Sequence, residues 1–128
     1  MEELKSIEFI ESRARKLLNS GQLDPNEAYH LVESLFIELS SALHSKYSKE
    51  AAKRGLWNIE LLDNAVEEIV DAYGGNYKIL ELWELAWELR LGQGNANDLL
   101  TKLLEVIDII KRRYKYGGAI RGRRRMKR

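Results

Sequence analysis

The residues of this sequence best suited to chemistry are cations gathered near its C-terminal end. No acidic residue follows Asp108, and ten basic residues do: Lys111, Arg112, Arg113, Lys115, Arg121, Arg123, Arg124, Arg125, Lys127 and Arg128. Arginine guanidinium groups match phosphate oxygens in pairs, and the interleaved Tyr114 and Tyr116 can stack on bases. The run predicts weak, sequence-tolerant contact with RNA or DNA. An acidic partner, the ribosome, or the chain's own acidic body are the alternatives.

The charge of the whole chain hides this asymmetry. Its 128 residues carry 21 Lys+Arg and 20 Asp+Glu, for a formal charge of +1. Without the ten C-terminal cations, 11 cations face 20 acids, so residues 1–110 carry −9. An acidic body joined to a basic tail favours either a polyanionic partner for the tail or contact between the two parts.

A second candidate site surrounds the Gly-Gln-Gly loop at 92–94. Arg90 with Asn95 and Asn97 is a possible phosphate contact, because a helix that begins near Asn97 offers free backbone N–H groups. In the simpler interpretation, Arg90 is a cation at a helix C-terminus and the two asparagines are turn and cap residues. We favour the simpler interpretation.

The remaining side chains predict no metal site and no cofactor. Glu27 and His30 have the Glu-x-x-His spacing of di-iron bundles, but such a site needs a second copy and two further carboxylates. The chain has no Cys, which excludes a disulfide scaffold, a cysteine zinc site and a thiol nucleophile. No apolar run reaches the ~20 residues that cross a bilayer, and no signal peptide opens the chain. We therefore expect a cytoplasmic protein that does not contact membranes.

Helices must position these groups, since the sequence has one Pro and no alternating strand pattern. Apolar spacing and turn residues predict five helices, over 2–19, 25–54, 59–73, 77–91 and 98–114. Asp24 as N-cap, Pro25 at the first helical position and Glu27 in a capping box give the clearest helix start. A break near Ser45–Ser48 would divide the long second helix. Residues 1–114 then form a helical bundle domain, and 115–128 form a basic tail that we expect to be disordered in isolation.

The fifth predicted helix is apolar around most of its circumference. Its apolar residues are Leu99, Leu100, Leu103, Leu104, Val106, Ile107, Ile109 and Ile110. Such a helix is either the centre of the bundle or carries a second apolar face for a partner. We expect a homodimer through the fourth or fifth helix; a monomer mass by light scattering would contradict it.

Three short motifs follow an amphipathic helical pair, in an order and spacing that cover most of residues 15–110. They are Gly55-Leu56-Trp57, the Leu-x-x-Ala-Val pattern at Leu62, Ala65 and Val66, and the Trp-x-x-Ala-Trp-x-Leu pattern at Trp83, Ala86, Trp87 and Leu89. Together they resemble the PaREP family of archaeal proteins, which is similar in fold to HEPN domains. The resemblance implies an all-α, HEPN-like bundle of about five helices, intracellular, often dimeric, and usually without an assigned activity.

The same resemblance raises catalysis as an alternative. The HEPN group includes metal-independent ribonucleases, in which an Arg near a helix end precedes a His by four to six residues. Arg90 stands at such a place, but Asn95 and Asn97 follow it, and neither His30 nor His44 has the required spacing from an arginine. An amide cannot transfer protons, so we predict no catalytic residue and a non-enzymatic protein. A HEPN-type ribonuclease with an atypical partner for Arg90, or a module paired with a nucleotidyltransferase-like subunit, are the alternatives.

Overall fold

The computed structural model describes the backbone of residues 2–127 and the side chains of residues 4–113. Within that part of the chain every regular element is a helix: α1 Glu2–Ser20, α2 Pro25–Ala42, α3 Lys46–Arg54, α4 Ile59–Ala72, α5 Tyr77–Arg90 and α6 Ala96–Lys127. The prediction of an all-α bundle is confirmed, with six helices where about five were expected. α6 continues past the predicted end near Tyr114. The side chains of the predicted tail lie outside the described residues, and its disorder in isolation stays a prediction.

The additional helix comes from a break in the predicted helix 25–54. Between α2 and α3, His44 takes the left-handed conformation with φ 54°, which an α-helix cannot continue through. The Ser45 side chain accepts the backbone N–H of Ser48 at 3.0 Å and so caps α3. The buried hydroxyls of Ser40 and Ser45 lie 2.5 Å apart. Ser45 thus begins α3 by satisfying a backbone donor, while α2 ends at the C-cap Leu43 through backbone hydrogen bonds.

The predicted helix starts on either side of this break are confirmed. The side-chain oxygens of Asp24, Asn58 and Asn76 each accept a backbone N–H of the first helical turn, at distances between 2.8 and 3.0 Å. Each oxygen satisfies a donor that the helix itself leaves unpaired. Glu27, expected to complete a capping box, accepts a hydrogen bond from Arg13 of α1.

α6 is the central helix of the bundle. Six of its apolar side chains have no exposed surface: Leu99, Leu100, Leu103, Val106, Ile107 and Ile110. α6 packs against α1, α2 and α5, so neighbours within one chain cover most of its apolar circumference, with Leu104 and Ile109 half-buried. The pattern therefore does not by itself require a second copy, and the homodimer stays a prediction.

Trp83 holds α5 against α2 and α4. Its ring meets Phe36 edge to face, with centroids 5.4 Å apart, and its indole N–H donates to Asp63 at 2.8 Å. Only 3% of Trp83 is exposed, while Trp57 and Trp87 are half-buried at the edge of the same core. Trp83 is thus a core residue whose one polar atom is satisfied.

One end of the bundle collects several helix termini. Leu43, directly after α2, and Ala72, the last residue of α4, line a common pocket. The side chain of Arg113 on α6 reaches the carbonyl oxygen of the same Ala72. The chain therefore enters its basic C-terminal segment at this end. Of the helices in the described part of the chain, none has the combined length and apolarity that a membrane span requires.

Candidate functional site

The ten predicted nucleic-acid-binding cations fall into two sets. Seven lie beyond the described side chains, so the prediction for them stays a prediction: Lys115, Arg121, Arg123, Arg124, Arg125, Lys127 and Arg128. The other three, Lys111, Arg112 and Arg113, each contact a group of the protein itself. Lys111 Nζ lies 2.9 Å from Glu11 Oε1 on α1, and Arg112 Nη2 lies 2.9 Å from Asp108 Oδ2. Part of the basic run is therefore used to hold the fold.

Arg113 joins α6 to the end of α4. Its Nη2 donates to the carbonyl oxygen of Ala72 at 3.2 Å, and its guanidinium lies 5.3 Å from the ring centroid of Tyr73. The last carbonyls of a helix lack partners within the helix and carry the negative end of its dipole, so they attract a cation. This contact sets the position from which the chain continues beyond residue 113.

Glu11 and Lys111 connect α1 to α6 through an ion pair. The Glu11 side chain is 16% exposed and that of Lys111 is 35% exposed. Burial acts to raise the pKa of Glu11, but hydrogen bonds from Lys111 and Arg15 prevail and lower it below the ordinary 4.5. The hydrogen bond that Lys111 donates to Glu11 raises the pKa of Lys111 above 10.5. Each partner therefore favours the charged form of the other.

We expect this pair to make stability depend on pH at both extremes. Because the folded-state pKa of Glu11 lies below 4.5, its contribution is complete above that pH and is lost as the pH falls through the folded value. Because the pKa of Lys111 is raised, its contribution is complete below pH 10.5 and is lost as the pH rises through the folded value. Glu11→Gln should lower the free energy of unfolding at neutral pH by up to about 1 kcal/mol.

Urea denaturation of Glu11→Gln near neutral pH and below pH ~4 checks this prediction. Glu67→Gln is the matched control, since Glu67 is exposed on α4 and the substitution removes the same charge. Equal losses for the two variants would mean that the pair adds nothing beyond general charge.

Arg90, Asn95 and Asn97, the possible phosphate contact, each contact a group of the protein itself, and their binding of phosphate stays a prediction. Asn95 is the N-cap of α6: its Oδ1 accepts the backbone N–H of Asp98 at 2.8 Å, and its Nδ2 donates to Asp98 Oδ2 at 3.0 Å. A carboxylate thus lies at the helix N-terminus, where a phosphate would otherwise bind. The Asn97 carbonyl accepts the Thr101 hydroxyl at 2.8 Å, and Arg90 contacts α2. The contacts agree with the interpretation of these residues as helix-terminal groups.

Sequence reasoning missed a polar cluster that α2 and α5 form together. Arg90 Nη1 lies 3.5 Å from the Tyr29 hydroxyl, and the guanidinium lies 5.7 Å from the Tyr29 ring centroid. The His30 ring packs edge-on against Tyr29 at 5.9 Å, and its Nδ1 lies 3.4 Å from Glu33 Oε1. We call these four residues the Tyr29 cluster. The three α2 members are close neighbours on one helix and so visible in the sequence, but the approach of Arg90 depends on the tertiary fold.

The Tyr29 cluster combines a buried phenol with exposed charged groups. Burial is the main cause that raises the pKa of Tyr29 above 10.0; Glu33 adds to the increase and Arg90 opposes it. Tyr29 therefore keeps its proton at neutral pH, while the His30 side chain is 69% exposed. An imidazole next to a carboxylate can transfer protons, and a guanidinium can hold a phosphate. The Tyr29 cluster thus contains the types of group that acid–base chemistry on a phosphate ester needs.

Neither a group of metal ligands among the described residues nor a match to a known protein is found. In the part of the chain that the structure describes, no three or more His, Asp or Glu side chains are grouped to hold a metal ion. Glu27 and His30 have the spacing of a di-iron site, but Glu27 pairs with Arg13 and His30 lies beside Glu33. Comparisons with protein-family models, with curated proteins and with solved structures find no match for this chain. Support for a function therefore comes from the residues of this chain alone.

Proposed function

We propose that the protein binds RNA or DNA through the basic segment 114–128, which contacts the phosphate backbone. The observation that carries the proposal is the charge of this segment, which holds seven cations and no acid. Residues 1–113 hold 14 cations and 20 acids, so the body would repel a polyanion while the segment attracts it.

The contacts of α6 with its neighbours reduce the number of predicted cations that are free to bind a nucleic acid. Lys111 and Arg113 contact α1 and α4, so their use by a nucleic acid would require breaking contacts that hold α6 in place. Arg112 pairs only with Asp108 of the same helix and is 72% exposed, so binding rests on Arg112 and the seven later cations. If five to seven phosphates are engaged, the slope of log affinity against log salt is roughly −3.5 to −6. Nothing in the segment provides base-specific geometry, so we expect sequence-tolerant binding.

Fluorescence anisotropy with labelled single-stranded RNA and duplex DNA tests this function. The full chain and a 1–116 truncation are compared across a salt series. Salt-sensitive binding that disappears with the segment supports the proposal and shows which polymer is preferred. Absence of binding at ~50 mM salt, where phosphate contacts are strongest, would exclude it.

A homodimer would strengthen such binding by placing two basic segments on one particle. This part of the proposal rests on the sequence resemblance, because α6 finds its apolar neighbours within one chain. A mass of one chain by light scattering at micromolar concentration would remove it without affecting the nucleic-acid proposal.

The Tyr29 cluster favours a second candidate function, cleavage of RNA. In this reading Arg90 holds the phosphate and stabilises the charge that develops on it. His30, oriented by Glu33, takes the proton of the ribose 2′-hydroxyl as that oxygen attacks phosphorus, and a solvent water gives a proton to the 5′-oxygen as its bond to phosphorus breaks. The observation behind it is that the tertiary fold joins Arg90 to a histidine-bearing surface through Tyr29.

Matched histidine variants test this second function. His30→Gln should lower the rate of cleavage of a labelled RNA by about 100-fold or more. His44→Asn is the control, since His44 is exposed at the α2–α3 junction and Asn tolerates its left-handed backbone. Equal rates for the two variants would assign any cleavage to another source and exclude the Tyr29 cluster as a catalytic site.

A further inference from the structure

The negative charge of residues 1–113 is not spread evenly over the bundle. Between Glu38 and Glu60 the chain has four cations and one acid, so this stretch carries +3. The remaining residues of 1–113 hold 10 cations and 19 acids. The four cations and the one acid, Glu50, all belong to α3. α3 is therefore a basic element on an otherwise acidic body.

Three lysines form one face of α3. Lys46, Lys49 and Lys53 occupy positions i, i+3 and i+7, which lie on one side of a helix and span about 10 Å along its axis. All three are exposed. Ala51, on the opposite side, is buried. Of the helices in the described part of the chain, α3 packs against α2 and α4 alone, so its lysine face is uncovered. We call these three lysines the α3 stripe.

The fold does not neutralise the α3 stripe. Among the described residues, none of its lysines forms an ion pair, whereas Glu50 pairs with an arginine of the same helix. Lys46 lies over the ring of Tyr47 at 5.1 Å, a contact that leaves its charge in place. Glu68 and Asp71 line a pocket beside the start of α3, but none of the three lysines lines it. The α3 stripe thus presents three charges to solvent.

The α3 stripe begins at the end of the bundle from which the basic segment continues. Ser45, the N-cap of α3, lines the same pocket as Ala72. Arg113 of α6 donates to the carbonyl oxygen of Ala72 at 3.2 Å. Lys46 directly follows Ser45, so the pocket separates the first lysine of the α3 stripe from the start of the segment 114–128. One polyanion can therefore reach both.

A nucleic acid fits the α3 stripe better than a lipid surface does. Helices that lie in a membrane interface carry an exposed apolar face opposite their cations. α3 exposes no large apolar side chain, and Ala51 points its apolar side toward the bundle. Lysines are compact charges on flexible stems, so a row of them can follow a phosphate backbone without reading its bases.

We propose that the α3 stripe is a second phosphate-binding surface, which holds the backbone of the same RNA or DNA strand that the segment 114–128 binds. This inference rests on the proposed function and adds to it a surface whose side chains belong to the folded body. Two surfaces on one chain strengthen binding, because the second contact forms at the effective concentration set by the first. The phosphate contacts of the segment then position the strand along α3.

Paired lysine variants of the full chain test the α3 stripe. Lys49→Gln with Lys53→Gln should reduce the slope of log affinity against log salt by about 1.4 for single-stranded RNA, since each phosphate contact with a single strand contributes about 0.7. Lys5→Gln with Lys16→Gln is the matched control, because both lysines are exposed on α1 and the variant removes the same charge. Equal slopes for the two variants would overturn the inference.

The same salt series separates failure of this inference from failure of the proposed function. Binding that requires the segment 114–128 but does not change in the Lys49→Gln, Lys53→Gln variant would overturn the α3 stripe and uphold the proposed function. Absence of binding by the unaltered chain at ~50 mM salt would overturn both. Circular dichroism of each variant confirms that the helices are retained.

Acetylation of the unaltered chain provides a test that needs no variant. Single-stranded RNA should prevent most acetylation of Lys49 and Lys53 and leave Lys5 and Lys16 as reactive as in the free protein, as measured by peptide mass spectrometry. Equal protection of all four lysines would overturn the inference, because it would show general attraction and no site. Protection by phosphatidylserine vesicles without protection by RNA would also overturn it and assign the α3 stripe to a lipid surface.

Discussion

Leu103→Ala is expected to lower the free energy of unfolding by about 2–5 kcal/mol, a large part of the stability of a domain of this size. Leu103 has no exposed surface and lies in the middle of the contacts that α6 makes with α1, α2 and α5. The substitution removes its methyl groups and leaves a cavity that neighbouring helices cannot close without losing other contacts. Urea denaturation followed by circular dichroism measures the loss.

Leu104→Ala provides the comparison, because Leu104 is adjacent and only half-buried. It should cost about 0.7–1.5 kcal/mol, roughly half of what full burial of a leucine contributes. The loss for Leu103→Ala should not depend on protein concentration, since all of its neighbours belong to the same chain. A loss below ~1 kcal/mol that is accompanied by a change in mass would instead place Leu103 at an interface between copies.

The helix boundaries were the part of the fold most accessible to sequence reasoning. The helices predicted to begin at 25, 59 and 77 begin there, and Asp24, Asn58 and Asn76 cap them. Such starts are readable because an N-cap depends on residues within one turn. The division of helix 25–54 was predicted near Ser45–Ser48, and the break lies at residues 43–45, with the left-handed residue at His44. The sequence does not predict which residue adopts the left-handed conformation, because that depends on how the helices on either side pack.

The sequence predicted which residues are buried, but it did not predict which helices cover them. The apolar circumference of α6 predicted a central helix or a face for a partner, and the pattern alone does not distinguish them. The contacts with α1, α2 and α5 show that α6 is central, and the partner face stays a prediction. In the same way, the spacing of Tyr29 and Glu33 is visible in the sequence, but the contact with Arg90 joins positions far apart in the chain and required the fold.

The cations of the C-terminal run show the same limit. Sequence reasoning grouped Lys111 and Arg113 with the later arginines because all of them lie in one acid-free run. The structure gives these two other contacts, with Glu11 and with the end of α4. A charge run therefore predicts how many cations are present, whereas which of them are available to a ligand depends on the helices packed beside them.

Neutralising four later arginines is expected to remove most nucleic-acid affinity. The variant carries Gln at Arg121, Arg123, Arg124 and Arg125, all beyond the contacts that hold α6. Each lost phosphate contact reduces the slope of log affinity against log salt by about 0.7–0.9, so the slope should shrink by about 3–4 if all four contact phosphate. Anisotropy with single-stranded RNA across a salt series measures both the affinity and the slope.

Arg113→Gln is the variant to compare with the four-arginine variant. Its guanidinium is held by the Ala72 carbonyl and the Tyr73 ring, so we expect a salt slope changed by less than ~1 and a loss in stability of about 1 kcal/mol. The two variants therefore separate two uses of arginine in one run, binding in the four later residues and attachment of α6 in Arg113. An Arg113→Gln variant that lost as much slope as the four-arginine variant would contradict this division, because it would mean that the nucleic acid takes Arg113 from α4 and moves the end of α6 when it binds.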